Sequence, residues 1–291
     1  MLTQRVRKIA QATRLGDVPR VIMGAVLIGL MGCSADTPTA DRVASRVLRV
    51  GYAQEPPYAF ADSTGRVTGL APELLRAMQP TLGVDSVRFV LVEFERLLGE
   101  LEAGRIDVIG AGLFITEERA RRVRFTGPLT EVRGAVLLRT SDPVASRGNT
   151  AVPDASAAPV PRSVSVRALR GPIGVIAGAV EADVARAAGV PDSLLMRFPD
   201  VSTAVPALLA GELQALLLSE PSLRWLETRS LNRLVALLVD STGDQIAGRP
   251  AFATRPDDAA LAMRLDSALA RVCAASRCDS LRRRFGFAGT P

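Results

Sequence analysis

The chain has no histidine among its 291 residues, and Lys8 is the only lysine among 36 basic residues, so arginine carries nearly all of the positive charge. The missing imidazole removes Ser-His-Asp and Cys-His catalysis, His-ligated zinc and an imidazole proton shuttle. A lysine confined to position 8 also removes a Schiff-base lysine and a phosphate-loop lysine from any chain that loses its N-terminus. This composition argues against most enzyme classes before any motif is read. Of the three cysteines, Cys273 and Cys278 flank Ala-Ala-Ser-Arg between two helical stretches. A turn at that point would bring them within disulfide distance, whereas a continuous helix would point residues five apart away from each other. An exported chain favours the bridge, as a staple and not as catalytic chemistry.

Export is what the N-terminus predicts. Arg5, Arg7, Lys8, Arg14 and Arg20 form a basic start, and the twelve residues from Val21 to Gly32 are apolar or small. Twelve is short of the about 20 needed to span a hydrocarbon core, and it suits the h-region of a signal peptide. The run ends in Leu30-Met-Gly-Cys33, which resembles the lipobox of bacterial lipoproteins, with Met31 less usual at its place than a small residue. That resemblance implies lipidation of Cys33 and a membrane anchor after cleavage; the alternative is an uncleaved anchor. Residues 1–32 carry a net +4 of the chain's +6, which leaves about +2 on the exported part. No basic run with interleaved aromatics remains there, so nucleic acid is not an expected partner.

The elements that must position any site come next. Residues 33–46 are small and polar, a tether. Strands are predicted at Val47–Ala53, Val87–Val92, Ile106–Gly110 and Gly134–Arg139. Between them fall helices at Ala71–Leu82, at Phe94–Glu102 with Gly104 closing it, and from Thr116 to Arg122. Thr116 reads as the N-cap of the last, with Glu117 and Glu118 in its favourable first turn. Residues 141–165, rich in Ser, Pro, Ala and Val, show no periodicity and read as an exposed extra loop. Alternation then resumes with strands at Gly174–Ile176, Leu194–Phe198, Leu213–Leu218, Leu234–Val239 and Ala251–Thr254. The helices there are Val180–Ala188, Ser202–Ala210 and Pro221–Glu227, then a long one from about Asp257 and a shorter one from about Asp279. The stretches Leu101-Glu-Ala-Gly-Arg-Ile-Asp-Val108 and Leu208-Leu-Ala-Gly-Glu-Leu-Gln-Ala215 echo one another. The expected class is α/β in two lobes, each a mostly parallel sheet flanked by helices.

Particular segments carry a family resemblance. Leu48-Arg-Val-Gly-Tyr-Ala-Gln-Glu-Pro-Pro-Tyr-Ala-Phe60, Phe114-Ile-Thr-Glu-Glu-Arg119 and Val123-Arg-Phe-Thr-Gly-Pro128 look like a family 3 extracytoplasmic solute-binding protein. So do Gly171-Pro-Ile-Gly-Val-Ile-Ala-Gly178 and Leu281-Arg-Arg-Arg-Phe-Gly286, and the likeness spans residues 47–287. These are polar amino-acid receptors of ABC importers with the type II periplasmic-binding-protein fold. The resemblance implies lobe one at 47–130 plus 252–291 and lobe two at 134–248. Two hinge crossings would fall near Leu129–Arg133 and Arg249–Phe252, with ligand held in the cleft between the lobes.

Within the family the sequence is most similar to ectoine and hydroxyectoine receptors. That likeness places three aromatic pocket positions on Tyr58, Phe94 and Phe114, the carboxylate-clamping arginine on Arg119 and an acidic partner on Glu55. An aromatic box can hold a delocalised cation by its ring faces while a guanidinium grips a carboxylate through two parallel hydrogen bonds. The lobe-two aspartate of ordinary α-amino-acid receptors falls on Ser219, with Glu220 beside it. Gly178 and Ala179 are expected to offer backbone N–H groups to the ligand's carboxylate.

The reading is therefore a lipid-anchored receptor facing the periplasm or cell exterior, a monomer without cofactor or metal. It would pass a small zwitterion, ectoine-like or a polar amino acid, to an ABC permease. Rival readings are a same-fold dehydratase, for which Glu55 is the one obvious acid or base, and a sensor or adhesion lipoprotein that feeds no transporter.

Overall fold

The computed structural model describes residues 46–147, 163–239 and 247–287. The leader, Cys33 and the tether up to residue 45 lie outside the described residues, as do positions 148–162 of the expected loop.

Alternating helices and strands build two sheets. The first places Ser86–Leu91, Val47–Tyr52, Val108–Ile109, Ala253–Thr254 and Arg124–Phe125 side by side. Val47–Tyr52 runs parallel to both of its neighbours, and Ala253–Thr254 runs antiparallel to both of its own. The second sheet runs Leu195–Phe198, Ile173–Ile176, Ala215–Ser219, Val132–Arg139, Leu234–Val239, Ser163–Val164, with Ala247–Gly248 also on Val132–Arg139. Here Ile173–Ile176 is parallel to both neighbours, while Val132–Arg139 is antiparallel to all three of its own. Both sheets are thus mixed where mostly parallel sheets were expected. A parallel neighbour needs a helical crossover of a dozen residues or more. Val132–Arg139 and Ala253–Thr254 are instead reached directly from the other sheet.

Helices cover the sheets by burying one stripe each. Leu70–Leu82 starts after Gly69 and stops at left-handed Gly83 (φ 64°), burying Leu70, Leu74, Leu75, Met78 and Leu82. It packs against Ala259–Ala274. Val201–Ala210 is capped by the Asp200 side chain, which accepts from the Thr203 N–H, and is closed by left-handed Gly211. The last two helices, Ala259–Ala274 and Arg277–Arg284, break at Ser276 (φ 56°). That break brings Cys273 and Cys278 to a Cα separation of 4.7 Å, joined as a disulfide. The segment read as one loop at 141–165 is more ordered at its ends than expected. Asp142 accepts from the Val144 N–H at 2.8 Å and opens a short helix, Pro143–Arg147. At the other end Ser163–Val164 adds an edge strand, with Val164 buried.

The chain passes between the sheets twice, and the two passages pair. Leu129 N–H donates to the Pro250 carbonyl at 2.7 Å and Thr126 N–H to Phe252 at 3.0 Å. On the opposite side of the returning segment, Ile115 N–H donates to Arg249 and Ala251 N–H to Leu113, both at 3.0 Å. This ribbon sets Phe114 and the helix behind it at the boundary between the lobes. No helix among the described residues is long and apolar enough to cross a membrane.

Candidate functional site

The site grows from the loop that leaves Val47–Tyr52. Glu55 N–H donates to the Ala53 and Ala59 carbonyls, and Tyr58 N–H donates back to Glu55, each at 2.9 Å. This tight turn aims Glu55 and the Tyr58 hydroxyl at the second lobe. Gly69 and Gly112 make room for it. A Cβ on Gly69 (φ 119°) would come within 2.5 Å of the Tyr58 carbonyl, and one on Gly112 (φ 69°) within 2.7 Å of its ring.

Tyr58 hydroxyl donates to Ser219 Oγ at 3.2 Å, Ser219 to Ser222 Oγ at 3.3 Å, and Ser222 to Glu55 Oε1 at 3.2 Å. The relay leaves the first lobe and returns to it. Its hydroxyl groups are buried, which makes each bond worth more than its surface equivalent. Burial, then the Glu55 charge, pushes the Tyr58 hydroxyl above its usual range and keeps it a donor.

Arg119 stands at the end of Glu117–Ala120. Thr116 caps that short helix as expected, its Oγ1 accepting from the Arg119 N–H at 3.2 Å. The Arg119 side chain is 8% exposed. Its Nη1 donates to the Phe114 carbonyl and its Nη2 to the Gly178 carbonyl, both at 2.9 Å, so one guanidinium bonds both lobes. The guanidinium carbon lies 5.9 Å from the Phe94 ring centre. Burial lowers the pKa, opposed first by Glu181 and then by Glu118, Asp183 and Glu55, and an arginine there stays charged.

Arg119, Glu55, Phe94 and Phe114 line one small cavity, closed from the second lobe by Ala179, Val180, Glu181 and Leu218. A second small space adjoins it across Glu55 and Phe94 and reaches Gln54 and Asp200. Phe114 packs its ring against Gly248, where any Cβ would overlap the ring.

Two expectations change. The Tyr58 ring does not line the cavity; it lies behind Gly112 in an edge contact with Phe287, ring centres 5.0 Å apart, and only its hydroxyl reaches the second lobe. The aromatic box is therefore two rings, Phe94 and Phe114. Gly178 and Ala179 also do not form the expected pair of N–H donors. Ala179 N–H is taken by the Ile176 carbonyl at 3.1 Å, and Gly178, at φ 76°, turns its carbonyl toward Arg119. Gly178 has no space for a side chain, since a Cβ would meet the Glu95 Cα at 2.7 Å.

The sequence reading missed Glu181 and Ser222. Glu181 opens Glu181–Ala187 and is 2% exposed. Burial pushes its carboxyl up to about 7, opposed by its own N–H and by Arg119. Glu55 is partly exposed as a residue, but its carboxyl end is enclosed. Loss of water, ahead of repulsion from Glu181, pushes it up to about 8. An acid in a helix's first turn reads as an ordinary dipole partner, so position alone did not mark Glu181. Ser222, in the first turn of the helix that follows the strand ending at Ser219, was a readable signal. One guanidinium, two carboxyls and two rings in a closed cleft can hold a small molecule with opposite charges. No cluster of metal-ligating side chains occurs among the described residues.

Two α/β lobes joined by paired crossings, with a charged cleft between them, define a clamshell binding protein. Residues 48–288 match the bacterial extracellular solute-binding proteins, family 3, and the chain belongs to that family. A probable amino-acid ABC transporter periplasmic-binding protein of Sinorhizobium fredii, y4tE, is 24% identical over 197 residues, 67% of this chain. The match covers 61% of that relative, so the chain spans less than two thirds of its length. A crystal structure of EhuB in complex with hydroxyectoine is 25% identical with a TM-score of 0.71, over 83% of this chain and 89% of EhuB. An ancestral arginine-binding protein bound to arginine shares the fold, at 24% identity and a TM-score of 0.67 over 82% of this chain and 97% of its own. The relatives are mostly binding proteins, though a membrane-bound lytic murein transglycosylase of Alkalilimnicola ehrlichii matches over 27% of its length.

Proposed function

We propose that this chain is the extracytoplasmic receptor of an ABC importer, capturing a small solute with a carboxylate and a cationic pole, ectoine-like or a polar amino acid. The observation that carries the reading is Arg119, a buried guanidinium that bonds both lobes and lines the cavity beside Phe94 and Phe114. Its remaining N–H groups can take a carboxylate, while the two rings and Glu55 receive the cationic pole. In this reading lobe one is 47–130 plus 252–291 and lobe two 134–248, and they close about crossings near 129–133 and 249–252. Closure strips water from Arg119, which strengthens every charged contact in the cleft. Cys33 carries the lipid that holds the receptor at the cell membrane, where it works as a monomer beside its permease.

The test is a thermal-shift panel of ectoine, hydroxyectoine and the polar amino acids on the purified chain and on Arg119→Ala. The expected result is stabilisation by at least one of these solutes, lost in the variant. Stabilisation that survives in Arg119→Ala removes the carboxylate clamp from the reading.

A same-fold enzyme is the second reading, favoured by Glu55, whose proton is retained to near neutral pH. Steady chemical conversion of a stabilising solute, abolished by Glu55→Gln, would establish it.

A further inference from the structure

Outside the cavity, one helix of the second lobe meets one turn of the first. Ser222 and Trp225, three residues apart, share a face of the helix Glu220–Glu227. Ser222 Oγ donates to Glu55 Oε1 at 3.2 Å, and the Trp225 ring lies against Phe60, with ring centres 5.1 Å apart and planes at 58°. Phe60 follows directly on the turn that carries Glu55. Both rings are half-buried. Neither lines the cavity or the space beside it.

Each ring is held by its own lobe. On the second, the Arg229 guanidinium carbon lies 3.4 Å over the centre of the Trp225 ring, and Arg229 Nη1 donates to the Trp225 carbonyl and to Thr228 Oγ1, each at 3.2 Å. On the first, Phe60–Ala61 pairs antiparallel with Val67–Thr68, and Ala61 N–H donates to Gln54 Oε1 at 3.0 Å. These partners stay with their rings when the lobes part. Both rings are therefore set before they touch, and their contact costs little side-chain entropy. Parting them returns their facing surfaces to water, which penalises an open form. That penalty does not depend on what the cleft holds, because neither ring faces the cavity.

We propose that Trp225 is a positioning residue, a latch that Arg229 holds ready and Phe60 receives, and that it sets the affinity for every guest by one common factor instead of choosing among guests. The apparent dissociation constant of a closing receptor is the intrinsic one divided by its closed fraction. The latch raises that fraction in the empty protein and slows escape from the loaded one. The proposal rests on the receptor reading above and adds to it a contact that governs affinity without touching the solute.

The test titrates L-arginine, L-glutamine and hydroxyectoine into the intact chain, Phe60→Ala, Trp225→Ala, Trp225→Phe and the Phe60→Ala, Trp225→Ala double variant. Stopped-flow measurements give the rates, and small-angle scattering at pH 5 gives the radius of gyration of each free protein. Each alanine variant should weaken every solute that binds by the same factor, about five- to twentyfold, with the change in the dissociation rate. Trp225→Phe, which keeps a ring, should recover most of it. The double variant should bind no more than about twofold weaker than the worse single one, since either change alone breaks the pair. Factors that differ between solutes, or single effects that multiply in the double variant, overturn the latch, as do affinities that stay unchanged. A melting curve of each free variant shows whether it folds; if Trp225→Ala does not, Phe60→Ala and Trp225→Phe decide by the same criteria. If none of the three solutes binds any of the proteins, the receptor reading falls by itself and the radii decide the latch. Larger radii in both alanine variants, no larger still in the double, uphold it, and equal radii in all the folded proteins overturn it.

Discussion

Raising the pH should open the ligand-free cleft. Glu55 and Glu181 are held protonated to about 8 and about 7 in the closed form, against an ordinary value of 4.5. In an open form both carboxyls regain water and return toward that ordinary value. Below about pH 4.5 both are protonated in either form, and pH has no leverage. Above it the closed form binds protons that the open form has released, so closure weakens as pH rises, until about pH 8. At 1.36 kcal/mol per unit, the rise at Glu181 from 4.5 to about 7 withdraws about 3 kcal/mol from the closed form across that window. Glu55, partly reached by solvent, adds less than the about 5 kcal/mol that its own shift would give. Even 3 kcal/mol changes the closed-to-open ratio by more than a hundredfold. The chain carries its own reporter. Trp225, its only tryptophan, sits on the second lobe with its ring centre 5.1 Å from that of Phe60 on the first, and with the Arg229 guanidinium 3.4 Å over it. Between pH 5 and pH 8.5 the Trp225 emission should shift toward that of a solvated indole, and small-angle scattering should show a larger radius of gyration. The Glu55→Gln, Glu181→Gln double variant should flatten both. Emission and radius that stay constant across that range, in a chain that remains folded, would refute the reasoning.

Three further outcomes follow from the geometry. Gly248→Ala should displace the Phe114 ring, which any Cβ at 248 would overlap, and weaken the best-bound solute by tenfold or more in titration calorimetry while leaving the two sheets folded by circular dichroism. Tyr58→Phe removes the donor that starts the hydroxyl relay and leaves Ser219 a partner short, so the free chain should lose about 1 kcal/mol in denaturant unfolding. Cys273→Ser with Cys278→Ser should lower the melting temperature while ligand affinity is unchanged, since the bridge closes a turn between the last two helices and touches nothing in the cleft.

Much of the local structure was legible because it depends on neighbours in sequence. Thr116 ahead of Glu117 and Glu118 marked a helix start, and Gly211 marked a helix end, through caps that act over three or four residues. The strand Leu234–Val239 was readable from its unbroken apolar run. Strand direction was not. Nothing within Val132–Arg139 says that its three neighbours run antiparallel, because direction follows from which sheet the chain has just left. The ends of the segment 141–165 were misread for a related reason. A two-residue edge strand such as Ser163–Val164 carries no periodicity and exists through the strand beside it.

The site divides along the same line. Residue types alone excluded imidazole and lysine chemistry and left arginine, carboxylates and rings, and family likeness pointed to Glu55, Phe94, Phe114 and Arg119, which meet around one cavity. The Tyr58 ring fell one layer behind, and the Ala179 N–H was spent on its own turn, because the backbone at Gly112 and Gly178 decides which atoms face the cleft. Sequence thus determined the alternation of elements, their caps and the chemical repertoire, all short-range properties. Tertiary structure alone decided that Glu181, an unremarkable acid at a helix start, stands across the lobe boundary from Arg119 and Glu55. Charge acts through space, and 62 residues of chain separate two groups whose fields meet in one enclosed volume.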